Sequence, residues 1–124
     1  MQIGDWKRPW NNPKDTQVGD APGRPFWASD PAGFDQVGCV YTAQGFEYDY
    51  GGVILADDLV WRTDHWEARP EFNRDNQVRR ADPDSFDKAI RNTYKVLLTR
   101  GMRGTLVYST DAETQELLSE LIHT

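Results

Sequence analysis

Apolar residues in this chain fall into two kinds of run. Val37-Gly38-Cys39-Val40-Tyr41, Gly51-Gly52-Val53-Ile54-Leu55 and Gly104-Thr105-Leu106-Val107-Tyr108-Ser109 are short, β-prone and free of polar alternation, the pattern of strands covered on both faces. Phe86, Ala89, Ile90, Tyr94, Leu97 and Leu98 instead recur at helical spacing. They follow Asp82-Pro83, an N-cap and a first-turn proline, and Gly101 is placed to end the helix. Thr110-Asp111-Ala112-Glu113 has the form of a capping box and predicts a last helix whose buried stripe is Leu117, Leu118, Leu121 and Ile122. The order β, β, α, β, α predicts an α/β fold with a small, mostly parallel sheet. Two helices cover such a sheet incompletely, so the N-terminal loops or another polypeptide are expected to complete it.

The rest of the chain lacks period. Residues 1–36 carry Pro9, Pro13, Pro22, Pro25 and Pro31 together with Gly4, Gly19, Gly23 and Gly33, which predicts extended loops. Trp6, Trp10, Phe26 and Trp27 punctuate them and are expected to pin the loops by packing, ahead of any base-stacking role. Residues 59–81 are rich in Arg, Asp, Asn and Trp and read as a surface excursion within a domain spanning 37–124. Trp61 and Trp66 flank His65 there, and local packing is again favoured over stacking on bases.

At 124 residues the chain forms at most one domain, and its 38% hydrophobic and 27% charged residues describe a soluble one. No apolar run reaches membrane-span length, and Asp5, Lys7 and Arg8 interrupt the start where a signal peptide needs an apolar core, so a cytoplasmic protein without membrane contact is expected. The formal charge of −6 argues that any nucleic-acid contact is local or shared. Cys39, the single cysteine, reads as a small buried thiol. His65 and His123 lie far apart in sequence without partners at ligand spacing, so no metal site is expected.

Two segments carry chemistry. Tyr41 to Tyr50 follows one expected strand and precedes the next, at the carboxyl edge where open α/β sheets bind ligands, and it offers a hydroxyl, an amide, a glycine and a carboxylate. A bland turn fits the composition as well. Arg100 stands at the expected end of a helix, where a cation answering the helix dipole is the favoured reading from pattern alone. Arg103 reads equally as a phosphate contact or a solvated turn residue. Asp57 and Asp58 close the second apolar run and are read as solvated loop residues, not as a magnesium cluster.

Thr42-Ala43-Gln44-Gly45-Phe46-Glu47 resembles motif V of superfamily 1 helicases, and Tyr94-Lys95-Val96-Leu97-Leu98-Thr99-Arg100 resembles their motif VI. The run Arg91 to Gly104 is similar to one typical of the bacterial DNA/RNA helicase family related to Schlafen proteins, the Schlafen group 3-like helicases. Gly4-Asp5-Trp6 to Trp10-Asn11 and Val107 to Asp111 extend the resemblance over nearly the whole chain. It implies a partial RecA-like second motor domain of a phosphate-loop helicase. In that setting Arg100 is the arginine finger, where a planar fork stabilises charge on the γ-phosphate oxygens. Gln44, Gly45, Glu47 and Arg103 contact nucleotide, Glu47 at the ribose hydroxyls, and Thr42 holds a nucleic-acid phosphate.

A motor also needs a Gly-x-x-x-x-Gly-Lys-[Ser/Thr] loop, and the sequence has none. ATP and Mg²⁺ are therefore expected only in a complete motor, with a phosphate-loop-containing first motor domain, in the same parent chain or separate, as partner. Single-stranded DNA or RNA is the expected polymer, a homo-oligomer is compatible with the sequence, and the chain alone is expected not to hydrolyse ATP. The alternative is a catalytically inactive interaction or nucleic-acid-binding module derived from such a domain.

Overall fold

Asp82 and Pro83 begin the longest helix as their chemistry requires. The Asp82 carboxylate accepts the Ser85 N–H at 3.0 Å and Pro83 opens the first turn, satisfying a donor that the helix itself leaves orphaned. A computed structural model describes residues 1–123, the side chains of Asn76 and His123 excepted. The His123 side chain weighed as a ligand, and Thr124, thus lie outside the described residues. The elements are β1 (Gln2–Ile3), β2 (Trp6–Lys7), α1 (Val40–Ala43), β3 (Tyr48–Leu55), β4 (Leu59–Arg62), β5 (His65–Ala68), α2 (Asn76–Arg79), α3 (Pro83–Leu98), β6 (Gly101–Ser109) and α4 (Ala112–His123). They fall into two compact units, Met1–Asp49 and Tyr50–Thr124.

The second unit has the α/β character expected. β3 and β6 pair, and they run the same way. Gly101 lies against the Gly51 N–H at one end, and the Thr110 N–H bonds the Leu55 carbonyl at the other. Hairpin β4–β5 and helix α3 form the connection between the two strands. Phe86, Ile90 and Tyr94, on one stripe of α3, pack with Val53, Leu55 and Leu59 into the core, and Val107 and Leu118 adjoin it. Phe86 is 1% exposed, so truncating it to alanine is expected to cost about 3–5 kcal/mol. The opposite face of the strand pair is open, with Tyr50 70% and Leu106 77% exposed.

Four expectations need correction. Val37–Tyr41 is not a strand: Val37 makes a single parallel bridge with Trp10, and the chain turns at Cys39 into α1. The sheet is therefore not mostly parallel; one parallel pair stands beside the antiparallel hairpins β1–β2 and β4–β5. Residues 59–81 are not a mere excursion, because Leu59 and Val60 are 5% and 0% exposed and Trp61 meets Trp66 across the hairpin, edge to face at 5.5 Å. Helix α4 starts one residue later than the capping box implied. Asp111 caps it by accepting the Thr114 N–H at 3.0 Å, while Leu121 and Ile122 are both 63% exposed.

The first unit is loop-rich, as its prolines require. Of the four aromatic residues expected to pin the loops, Trp27 does so. Trp27 is half-buried, with Phe46 and Tyr48 against its ring at 6.1 and 6.4 Å, and the Gly38 backbone lies flush on the indole. Trp6, Trp10 and Phe26 stay 38–58% exposed. Two asparagines add to the anchoring: Asn11 and Asn12 are 7% and 8% exposed, and Asn12 bonds the Thr16 carbonyl at 2.8 Å and the Lys14 N–H at 2.9 Å.

Candidate functional site

Thr42 to Glu47 is built as alternating anchors and exposed positions. Asn11 clamps its start. The Asn11 Oδ1 accepts the Cys39 N–H at 2.9 Å and its Nδ2 donates to the Thr42 Oγ1 at 3.0 Å, so Thr42, 3% exposed, carries a buried and engaged hydroxyl. Cys39, expected buried, is half-buried, and its thiol reaches the same hydroxyl at 3.5 Å. Phe46 holds the other end on Trp27. Between and beyond these anchors Gln44, Gly45 and Glu47 are exposed. Gly45 has no left-handed φ, and a Cβ there would meet the Thr42 carbonyl oxygen only at an ordinary 3.6 Å. The fold itself does not demand glycine at 45.

Arg100 lies in the second unit, at the junction of α3 and β6. Its backbone is tightly fixed. The Thr99 hydroxyl donates to the Val96 carbonyl at 2.9 Å and the Thr105 hydroxyl to the Leu98 carbonyl at 3.2 Å, closing the end of α3. Gly101 is glycine of necessity, because a Cβ would sit 2.3 Å from the Gly104 carbonyl oxygen and 3.0 Å from the Gly51 nitrogen. The side chain is the opposite case. Arg100 Nε is buried and has no hydrogen-bond partner, an arrangement that costs about 1–3 kcal/mol. Arg103, two residues into β6, is exposed.

Two polar clusters in the same unit escaped the sequence reading. Arg62 makes two bonds of 2.7 Å to the Asp111 carboxylate, the Glu113 carboxylate accepts the Thr63 N–H at 2.5 Å, and Thr114, 0% exposed, accepts the Trp61 N–H at 2.7 Å. The hairpin β4–β5 is thereby bolted to the first turn of α4. The Arg62 guanidinium, opposed by partial burial and aided by Thr114, holds the Asp111 carboxyl well below the usual carboxylate range. Second, Asp58 is 7% exposed rather than solvated. It accepts the Tyr94 hydroxyl at 2.6 Å and the Asn73 amide at 3.0 Å, while the Tyr94 oxygen accepts the Ala56 N–H at 3.2 Å. Burial pushes the Asp58 carboxyl up against the opposing effect of those bonds, and pushes the Tyr94 phenol up as well. The carboxylate partners of Arg62 and the side-chain partners of Asp58 lie 15–51 residues away in sequence, with no local motif to reveal them. Among the described residues no group of three or more His, Cys, Asp or Glu side chains could hold a metal ion, and no helix is long and apolar enough to cross a membrane.

The motif segments therefore divide between the units: Thr42, Gln44, Gly45 and Glu47 in the first, Arg100 and Arg103 in the second. The family described as Schlafen group 3, DNA/RNA helicase domain, matches residues 1–111, a span that includes both. The chain belongs to that helicase-domain family. An uncharacterized Saccharomyces cerevisiae protein, YPL245W, is 38% identical over 101 residues, covering 74% of this chain. The chain spans about a fifth of that relative, 22% of its length. No solved structure matches the chain. Within this helicase-domain chain, the match covers every residue of both motif segments but ends at Asp111, so α4 lies beyond it.

Proposed function

We propose that the chain is the second motor-domain portion of a superfamily 1 helicase-type ATPase, a partial RecA-like domain whose Arg100 completes a nucleotide site held elsewhere. The observation that carries this reading is the Arg100 side chain: its backbone is locked by Thr99, Gly101 and Thr105, while its Nε is buried without a partner. An unpaired buried donor at a rigid junction calls for an explanation, and completion by a group outside the fold is one. Phosphoryl oxygens bearing transition-state charge are such a group, and a guanidinium binds two of them at once. Gln44, Gly45 and Glu47, exposed between the anchors Thr42 and Phe46, are the segment that meets nucleotide, with Glu47 accepting from ribose hydroxyls and Gly45 allowing close approach. Arg103 adds a second phosphate contact. A nucleic-acid phosphate would reach Thr42 only by competing with Asn11 for its hydroxyl.

ATP and Mg²⁺ belong with a phosphate-loop-containing first motor domain, because the sequence has no such loop and the described residues offer no cluster for the metal. The test is ATP hydrolysis by the chain alone and combined with the phosphate-loop domain of a longer family member, with single-stranded DNA or RNA present. No turnover alone and turnover in combination is the expected result; turnover by the isolated chain contradicts the reading. A second reading, an inactive interaction module, draws on the open face bearing Tyr50 and Leu106. A stable homodimer that buries the Arg100 region would favour it.

A further inference from the structure

In the segment first taken as a surface excursion, the turn Pro70–Phe72 and α2 enclose a surface cavity of about 230 Å³ lined by Glu71, Phe72, Asn73, Arg74 and Arg79. Sites that enclose a whole small ligand run from about 300 to 1,000 Å³, so this one is sized for a single base or phosphate of a longer polymer. Its lining carries one carboxylate, Glu71, and two guanidinium groups, of which Arg79 already has a partner within the fold, on a chain of net charge −6. Phe72 presents an aromatic ring that is 48% exposed. The Arg74 side chain is exposed and makes no ion pair or hydrogen bond among the described residues.

The floor is rigid. Asn73 accepts the Asp75 N–H at 2.8 Å and donates to the buried Asp58 carboxylate at 3.0 Å, which in turn holds Tyr94 of α3. The pocket is thereby pinned to α3, the helix that precedes Arg100.

We propose that this pocket is a contact site for single-stranded nucleic acid, Phe72 stacking on one base while Arg74 holds the adjoining phosphate. An aromatic face with guanidinium groups beside it is the pairing that grips unpaired strands without reading their sequence. It also answers the acidity of the chain, since the contact is local and needs no basic domain. The inference rests on the helicase-domain reading for its choice of polymer. It is tested by binding alone, so its failure is distinguishable from a failure of the ATP-hydrolysis proposal.

The experiment is fluorescence anisotropy of a labelled single-stranded oligothymidylate against the full chain, across a series of salt concentrations. Phe72→Ala is expected to weaken binding by about fivefold or more, the lower end of the loss for one stacked base. Arg74→Gln is expected to lower the log–log salt slope by about 0.7, the value for one phosphate contact on a single strand. Lys88→Glu, at another exposed cation, on α3, serves as the charge control and is expected to leave the slope within half that change. The proposal is overturned if the unaltered chain does not bind at low salt, or if Phe72→Ala and Arg74→Gln bind as it does. It is overturned equally if Lys88→Glu matches Arg74→Gln, or if poly-L-glutamate or inorganic tripolyphosphate competes as well as unlabelled oligothymidylate at equal charge, which would make the pocket a general anion or acidic-peptide site.

Discussion

Two arginines in the second unit have opposite surroundings. Arg62, on β4, is fully engaged: both its terminal nitrogens bond Asp111, and one also reaches the Trp61 carbonyl at 2.6 Å. Arg100, where α3 meets β6, has a buried Nε with no partner, although the backbone beside it is capped by Thr99 and closely packed at Gly101. The same side chain thus serves the fold in one place and, on the proposed reading, is held for a ligand in the other. Position in the sequence does not explain the contrast, since each follows an apolar run. What differs is the supply of acceptors: the N-terminus of α4 offers Asp111 and Glu113 to Arg62, whereas the end of α3 faces carbonyls already capped by Thr99 and Thr105.

The contrast is sharpened most strongly by catalysis. In an assembled motor, Arg100→Ala is expected to reduce ATP hydrolysis by about 10³-fold, as loss of an arginine finger does, and Arg100→Lys is expected to rescue little because a point charge cannot bridge two oxygens. Arg62→Met should act through stability instead, with hydrolysis per folded molecule unchanged. Steady-state turnover normalised to the folded fraction separates the two. Next in size, Gly101→Ala forces a Cβ into the Gly104 carbonyl and is expected to cost about 1–3 kcal/mol. It should also displace Arg100 and lower hydrolysis beyond what the urea midpoint explains. Thr114→Val removes the acceptor of the Trp61 N–H at the Arg62 cluster and is expected to cost about 1–2 kcal/mol, again with hydrolysis per folded molecule intact.

The pH dependence of stability reports on the same bolt. The Asp111 carboxyl is held below its unfolded value of about 4, chiefly by the Arg62 guanidinium. Its contribution is therefore present above pH about 4 and is lost as pH falls toward the depressed folded value. Urea titrations below that pH should show stability declining, and Arg62→Met should flatten the decline; an unchanged slope would show the pair to be of no consequence. Asp58 works in the other direction, because its carboxyl is raised by burial, so its share of the stability increases as pH falls through its folded value. The smallest effect is at Gly45. Gly45→Ala meets no close contact and no left-handed φ, so stability is expected to hold or rise by up to about 1 kcal/mol, while turnover of the assembled motor falls.

How far the sequence was legible follows the range of the interactions involved. Helix α3 could be read because its N-cap and its i, i+4 stripe are local, and the Asp82, Pro83, Phe86, Ile90 and Tyr94 roles stand as expected. The β4–β5 hairpin was invisible because its two-residue turn uses Thr63 at φ 56°, where glycine or asparagine is the usual signal, and a Glu113 carboxylate 50 residues away secures it. Val37–Tyr41 looked like a strand by propensity, but Asn11, 28 residues upstream of Cys39, draws the chain into a turn. The candidate site divides the same way. The family resemblance picked out Arg100, Gln44, Gly45 and Glu47, yet neither the unpaired Nε of Arg100 nor the burial of Thr42 beneath Asn11 could be inferred from residue types in order.

The most direct test of the central contrast is equilibrium urea unfolding of Arg100→Met beside Arg62→Met and the unaltered chain. If Arg100 is held for a ligand outside the fold, removing its buried, unpaired donor leaves the midpoint unchanged or raises it, while Arg62→Met lowers it. A loss of about 2 kcal/mol in Arg100→Met, the scale of a buried donor that had been bonded, would show that the guanidinium is part of the fold's own bonding and would contradict the account.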